Sequence, residues 1–197
     1  MKIPLAESQP QKQEAAVYAR NAASSVAAEP GVFVESDPAS VVDAVSADAF
    51  FDAGYDALVM AMIAHVVEVE GPVLDTVLAR RFARAHKWQR TGARIQERVE
   101  TLASTAIRTI EEGIGTFYWA PDRGPDTPIT FRCAADKSSR ATDEICMPEL
   151  VILARSVLAS GKTGGVLVVA MARELGLQRA GAAIRKRLEM ALSLAEK

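Results

Sequence analysis

The sequence predicts a mostly α protein with a small β-hairpin, built from two tandem helix-turn-helix-like three-helix units of which the first is winged. Three observations predict this fold: an internal repeat, helical spacing of apolar residues in both copies, and one stretch with strand-like spacing. Residues 88–100, WQRTGARIQERVE, are matched without a gap by residues 177–189, LQRAGAAIRKRLE, 89 positions later. This period is longer than that of a solenoid repeat and indicates a duplicated small domain.

Four segments are expected along the chain. Residues 1–49 are rich in Ala, Ser, Glu, Gln and Pro, which predicts a poorly ordered or linker arm, although the stretch 11–28 has the composition of a helix. Residues 50–133 form the first, winged-helix-like copy. A polar linker at 134–146 follows, and residues 147–197 form a second three-helix copy without a wing.

The first copy is expected to contain three helices, at 57–70, 73–87 and 91–112. Gly71-Pro72 separates the first two, because glycine commonly ends a helix and proline fits the first turn of the next. In the third helix, apolar residues recur at spacings of four, three, four and four, which is the pattern of a core-facing stripe. This stripe comprises Ile95, Val99, Leu102, Ala106 and Ile110.

The spacing changes at Gly113–Gly115, where β-prone residues replace the helical pattern. We expect strands at 116–119 and 129–133, joined through the turn-rich stretch 120–128 into a hairpin. Three helices followed by a hairpin is the order of a winged helix-turn-helix domain.

The second copy is expected to contain helices at 148–159, 165–175 and 180–196. Its second helix is the more apolar, through the run Val166–Val169, which indicates burial on more than one side.

Composition restricts the possible classes of function. Residues 1–56 contain 3 basic and 9 acidic residues, whereas residues 57–197 contain 20 basic and 16 acidic residues. No apolar run is long enough for a membrane span or a signal peptide, and two cysteines do not make a disulfide framework. We therefore expect a cytoplasmic protein without membrane association. Two histidines are too few for a zinc site, and no cofactor is expected.

A basic cluster spans the predicted turn between the second and third helices. Cations on one helix face and at a helix start are the groups with which such motifs contact DNA phosphates. On the third helix Arg94 and Arg98 are expected to point away from the apolar stripe. Two alternatives remain open: a solvated charged face, and a surface for an acidic protein partner. The cluster comprises Arg80, Arg81, Arg84, Lys87, Arg90, Arg94 and Arg98.

Other motifs give no active site, so the protein is not expected to be an enzyme. Gly161-Lys162-Thr163 resembles the end of a phosphate-binding loop, but a helix precedes it instead of a strand. His65 lacks a nucleophile to complete a triad and is expected at the surface or its boundary. The aromatic run 117–119 could stack on nucleic-acid bases or pack on the helices, and Trp88 is expected in the core.

Two stretches carry a resemblance to a known family. Residues 67–73, VEVEGPV, and 89–95, QRTGARI, resemble domain-of-unknown-function family 3320. The resemblance covers residues 50–120 well and the second copy more loosely. In that family the domain closes large bacterial proteins that resemble superfamily-1 helicases and carry a restriction-like nuclease domain. The resemblance implies a context of DNA processing or defence, with a helicase or nuclease protein as partner, and supplies no catalytic residues.

Together these features predict a non-enzymatic nucleic-acid-binding accessory module. The rival hypothesis is a protein-interaction or oligomerisation module whose basic face docks an acidic partner. The sequence leaves open the oligomeric state and any preference for a DNA sequence or strand type.

Overall fold

The computed structural model describes residues 31–124, 127–134 and 140–196. The described chain is mostly helical, with six α-helices and a small antiparallel sheet, as the fold class predicted. The helix expected within 11–28 lies outside the described residues. Two compact units are present: 32–124 with 133–134 and 140–146 form the first unit, and 147–196 with 127–132 and residue 31 form the second.

The three helices of the first unit lie close to their predicted positions. They are α1 (Asp56–Glu70), α2 (Asp75–Ala85) and α3 (Ala93–Ala106). Helix α1 ends at Gly71, where a Cβ atom would clash with the carbonyl oxygen of Val67, so only glycine fits. The first two residues of the predicted second helix instead form a short strand, β2 (Val73–Leu74).

The sheet of the first unit has the strand order β2-β4-β3, with β3 at Arg108–Glu112 and β4 at Gly115–Trp119. Both pairings are antiparallel, and Glu112 faces Gly115 across the turn at 113–114. The expectation that the third helix continues to residue 112 is therefore wrong. Ile110 fits a helical stripe and a strand equally well, and pairing with Phe117 across the sheet decides between them.

The prediction of a hairpin between 116–119 and 129–133 is also wrong, because 129–133 is not the strand that pairs with 116–119. Strand β4 pairs with the strand before it instead of the one after, because two residues suffice to connect antiparallel strands. Residues 129–131 are not in a strand, and β5 (Arg132–Ala134) lies outside this sheet.

Residues 31–49 do not match the expectation of a poorly ordered arm. They begin with β1 (Gly31–Phe33) and continue through a short 3₁₀ helix at Pro38–Val41. Ser36 and Phe33 are buried, so this segment contributes to the packing of the first unit. The segment 140–146, expected in the linker, likewise buries Ile145. Local composition did not predict these ordered segments, because the residues that they contact are distant in the sequence.

The second unit contains the three helices predicted for the second copy: α4 (Met147–Ala159), α5 (Val166–Glu174) and α6 (Ala182–Ala195). An ion pair joins Nη2 of the half-buried Arg132 to Oε1 of the buried Glu149 at 2.6 Å. None of the helices that the structure describes has the length and apolar character needed to cross a bilayer.

The repeat extends to individual backbone hydrogen bonds. Helices α3 and α6 each contain 14 residues and begin 89 positions apart. After α2, Trp88 N donates to Ala83 O at 2.9 Å, and at the equivalent place Leu177 N donates to Ala172 O at 2.8 Å. The residue before each donor has positive φ, 60° at Lys87 and 75° at Gly176. The two copies therefore share one helix-ending turn, in which a left-handed residue closes the helix.

Candidate nucleic-acid interface

The seven predicted cations lie on α2, on α3 and in the turn between them, and they divide into two groups by their contacts. The guanidinium groups of four of them contact carboxylates of the protein, and the other three residues are exposed without an ion pair among the described residues. The first group comprises Arg80, Arg81, Arg84 and Arg98, and the second comprises Lys87, Arg90 and Arg94.

Arg81 belongs to the interior, so the expectation that it lies on the exposed basic surface is wrong. Its side chain is 4% exposed, and it donates from Nε and Nη2 to the two carboxylate oxygens of Glu70 at 2.7 and 2.9 Å. Glu70 is 1% exposed and also accepts hydrogen bonds from Ser36 N and Oγ. Burial lowers the pKa of Arg81, but the hydrogen bond and charge of Glu70 outweigh that effect and leave the pKa raised.

Arg80 and Arg84 lie on an exposed helix face as predicted, but each has a carboxylate partner. Arg80 is 46% exposed and pairs with Glu144 at 2.6 Å. Arg84 is 63% exposed and pairs with Glu35. Ion pairs at this exposure contribute about 0–1 kcal/mol each, so they compete only weakly with an external anion.

Arg98 was expected to point away from the core, and the structure contradicts this. Its side chain is 19% exposed and donates to Asp56 Oδ1 at 2.5 Å and to the carbonyl oxygen of Asp52 at 2.9 Å. The guanidinium carbon also lies 5.5 Å from the centre of the Phe50 ring. Arg98 therefore fastens the segment before α1 onto α3, and its removal would perturb the fold.

Lys87, Arg90 and Arg94 remain as exposed cations around the start of α3. Lys87 occupies the left-handed position that ends α2, and Arg94 lies in the first turn of α3. The Arg94 guanidinium carbon is 4.6 Å from the centre of the Phe51 ring, a cation–π distance that orients the side chain while leaving its donors available. These three side chains can meet a phosphate without first breaking an ion pair among the described residues.

Aromatic packing beneath the turn holds these cations in place. The His86 and Trp88 rings stack at 4.6 Å, and Phe50 meets both edge-on at 4.9 Å. Trp88 is half-buried in this packing. His86 Nδ1 lies 2.8 Å from the carbonyl oxygen of Phe82, which can only accept, so Nδ1 carries the proton. Burial lowers the pKa of His86, so the ring is held neutral.

The other candidate residues fall outside any site. Phe117, Tyr118 and Trp119 are all buried, which confirms packing on the helices and contradicts stacking on bases. His65 is half-buried, with Nε2 3.4 Å from Ser40 Oγ, as expected of a boundary histidine. The stretch 161–163 forms an exposed turn after helix α4. No group of three or more potential metal ligands occurs in the part of the chain that the structure describes.

Sequence reasoning missed the acidic segment that supplies two of the four carboxylate partners. Residues 35–56 contain six acidic residues and no basic residue. Glu35 contacts Arg81 and Arg84, and Asp56 contacts Arg98. The signal was present as a run of uncompensated negative charge, but composition alone does not say which cations such a run contacts.

The comparisons with known proteins give one result. Residues 48–97 match the model of a family described as "Protein of unknown function (DUF3320)". Both stretches that carried the resemblance, VEVEGPV and QRTGARI, lie within the match. Neither the comparison with curated proteins nor that with solved structures finds a match. The match thus supports the family resemblance for α1, α2 and the start of α3, and assigns no role to any residue.

Proposed function

We propose that the protein is a non-enzymatic nucleic-acid-binding accessory module associated with DNA processing or defence, whose first unit acts as a winged helix-turn-helix domain. One observation carries the proposal. The element order helix–strand–helix–helix–strand–strand places the exposed cations Lys87, Arg90 and Arg94 around the start of the third helix. That position is the one from which helix-turn-helix proteins contact the duplex.

The chemistry of this surface suits contact with phosphates more than readout of bases. Lysine and arginine supply the positive charge, and the amino-terminal turn of α3 has no side-chain cap on its backbone N–H groups. The turn between β3 and β4, at 113–114, takes the place of the wing. The proposed ligand is therefore duplex DNA, held mainly through its backbone.

The family resemblance supplies the proposed cellular context. A domain associated with helicase-like and nuclease-containing proteins would hold their DNA substrate, so the proposed partner is a helicase or nuclease protein. The chain itself is assigned no helicase or nuclease chemistry.

The test is a fluorescence anisotropy titration of labelled duplex DNA, started at about 50 mM salt and repeated at higher salt. The informative variant is Arg90→Ala with Arg94→Ala, because neither residue forms an ion pair with any residue that the structure describes. If both residues contact phosphates, the plot of log K against log salt should become shallower. The magnitude of its slope should decrease by about 1.8, which is about 0.9 for each contact. Arg98→Ala is unsuitable, because it would also release the segment before α1.

A matched control removes two positive charges elsewhere. Arg123→Ala with Lys162→Ala changes two exposed cations outside the α2–α3 turn and should leave the slope unchanged. An equal loss of slope in both variants would mean that net charge alone determines binding. The proposal fails if the wild-type protein binds neither duplex nor single strand at about 50 mM salt.

A protein-interaction or oligomerisation role is the second candidate, and one observation favours it. Arg80, Arg84 and Arg98 already pair with carboxylates of this chain. A surface that binds carboxylates internally could bind those of an acidic partner. This role predicts no DNA affinity, and loss of partner capture in the Arg90→Ala, Arg94→Ala variant.

A further inference from the structure

We propose that the second unit carries a separate phosphate-binding cleft between α5 and α6, which holds the backbone of duplex DNA through Arg173, Arg179 and Arg185. This inference goes beyond the function proposed for the first unit, since it assigns a second surface made of other residues. It rests on the lining of the cleft, on a comparison with the equivalent positions of the first unit, and on the distribution of charge.

The cleft brings together three arginines that are separated in the sequence. Arg173 lies in the last turn of α5, Arg179 in the connecting turn, and Arg185 in the first turns of α6. All three are exposed, and none forms an ion pair among the described residues. The other lining side chains are apolar or neutral, including Val169, and no carboxylate is among them.

Three like charges around one cleft repel one another unless an anion lies between them. Because no carboxylate occurs among the described residues that line the cleft, none of them supplies that anion. Solvent and salt screen the repulsion, but an anion that bridges the arginines replaces it with attraction. Phosphate is the anion that suits several guanidinium groups at once, because each can donate two hydrogen bonds to it.

The first unit treats the equivalent positions differently. Eighty-nine residues earlier, Arg173 corresponds to Arg84, which pairs with Glu35, and Arg185 corresponds to Gln96. Gln96 is neutral, and its Nε2 donates to Glu100 Oε1 at 2.7 Å. Only the third equivalent, Arg90, is a cation without an ion pair among the described residues. At these three equivalent positions, the first unit therefore has one such cation and the second unit has three.

The distribution of charge along the chain follows the same division. Residues 31–124 contain 9 basic and 14 acidic residues, a net charge of −5, whereas residues 147–197 contain 8 basic and 4 acidic residues, a net charge of +4. The surplus of positive charge that was noted for residues 57–197 thus lies in the second copy. Basic charge gathered on one surface is the electrostatic signature of nucleic-acid binding.

The experiment uses the full chain and the triple variant Arg173→Gln, Arg179→Gln, Arg185→Gln in the same anisotropy titration. If the three arginines contact three phosphates, they contribute about 2.7 to the salt slope, or about a 40-fold loss of affinity between 50 and 200 mM salt. The triple variant should lose that contribution. The control variant Arg123→Gln, Lys162→Gln should keep the wild-type salt slope. Replacement of the three arginines by lysine should keep it as well, because lysine retains the charge.

The outcomes separate this inference from the proposal for the first unit. A reduced slope in the triple glutamine variant supports the second cleft, whatever the Arg90→Ala, Arg94→Ala variant does. An unchanged slope in a triple variant whose circular dichroism matches the wild type overturns the inference, even if the first-unit variant loses binding. Binding of polyglutamate in preference to duplex DNA would also overturn it, because the ligand would then be an acidic protein. If the triple glutamine variant fails to fold, the three single glutamine variants decide: each should reduce the magnitude of the slope by about 0.9, and an unchanged slope in all three overturns the inference.

Discussion

The buried ion pair between Glu70 and Arg81 gives a prediction about stability whose size follows from the structure. The two side chains are 1% and 4% exposed, and their donors and acceptors are joined at 2.7 and 2.9 Å. Arg81→Met removes the cation and leaves the Glu70 carboxylate buried without its bidentate guanidinium partner, although the hydrogen bonds from Ser36 remain. Removal of one member of such a pair typically costs about 3–5 kcal/mol of unfolding free energy.

The double variant should cost much less than the sum of the single ones. Glu70→Gln leaves Arg81 with Glu35 at 3.2 Å, so its cost should fall toward the lower end of that range. Once Glu70 is neutral, loss of the guanidinium no longer leaves an unpaired buried charge. We expect Glu70→Gln with Arg81→Met to fall short of additivity by about 1–3 kcal/mol.

Urea unfolding followed by tryptophan fluorescence measures these free energies. Both tryptophans of the chain, Trp88 and Trp119, belong to the first unit, so the signal reports on that unit. Arg80→Met is the control, because it breaks only a partly exposed ion pair and should cost less than about 1 kcal/mol. Additive single effects, or a cost for Arg81→Met no larger than that of the control, would refute the reasoning.

Two further predictions concern the same unit. Gly115→Ala should lower the unfolding free energy by about 1–3 kcal/mol, because φ is +143° and the new Cβ would lie 2.9 Å from Asp75 Oδ2. Gly113→Ala is the control: its new Cβ meets open space, so it should cost under about 1 kcal/mol. Stability should also depend on pH at both extremes. Burial lowers the pKa of His86, so the unfolded chain takes up the proton first and stability falls as pH drops below about 6.5. In a plot of the urea midpoint against pH, His86→Gln should reduce this fall on the acid side. Burial raises the pKa of Tyr118 to about 12, so the unfolded chain loses that proton first and stability falls as pH rises above about 10.

The helices were predictable from the sequence because their apolar spacing and their end signals agree. Gly71-Pro72 marks the end of α1, and the repeat transfers the bounds of α3 to α6. The strands were less predictable. Ile110 satisfies both the helical and the strand pattern, and the many turn residues at 120–128 resembled the loop of a hairpin. Only pairing across the sheet, which depends on tertiary contacts, decides such cases.

The candidate site was predictable in its location but not in its membership. Positive charge is visible in the sequence, whereas the carboxylates that meet it are distant, with Glu35 lying 49 residues from Arg84 and Asp56 lying 42 residues from Arg98. Helical spacing correctly put Arg80 and Arg84 on an exposed face. It did not show that Arg81, one residue away, turns inward to Glu70.

The two copies differ in charge in a way that the energetics of burial explains. The positions equivalent to Glu70 and Arg81 in the second copy are Ala159 and Ala170, so both members of the buried pair are absent together. Retention of either one alone would leave a buried charge without a partner, at a cost of about 3–5 kcal/mol. In the first copy, part of the positive charge therefore stabilises the fold. A loss of binding after substitution of Arg81 or Arg98 would report on folding as well as on ligand contact. The cations of the second copy at positions 173, 179 and 185 form no such internal pairs among the described residues. Substitution of these arginines isolates the electrostatic contribution of a surface to binding, which makes the second copy the cleaner test of whether this duplicated architecture binds nucleic acid.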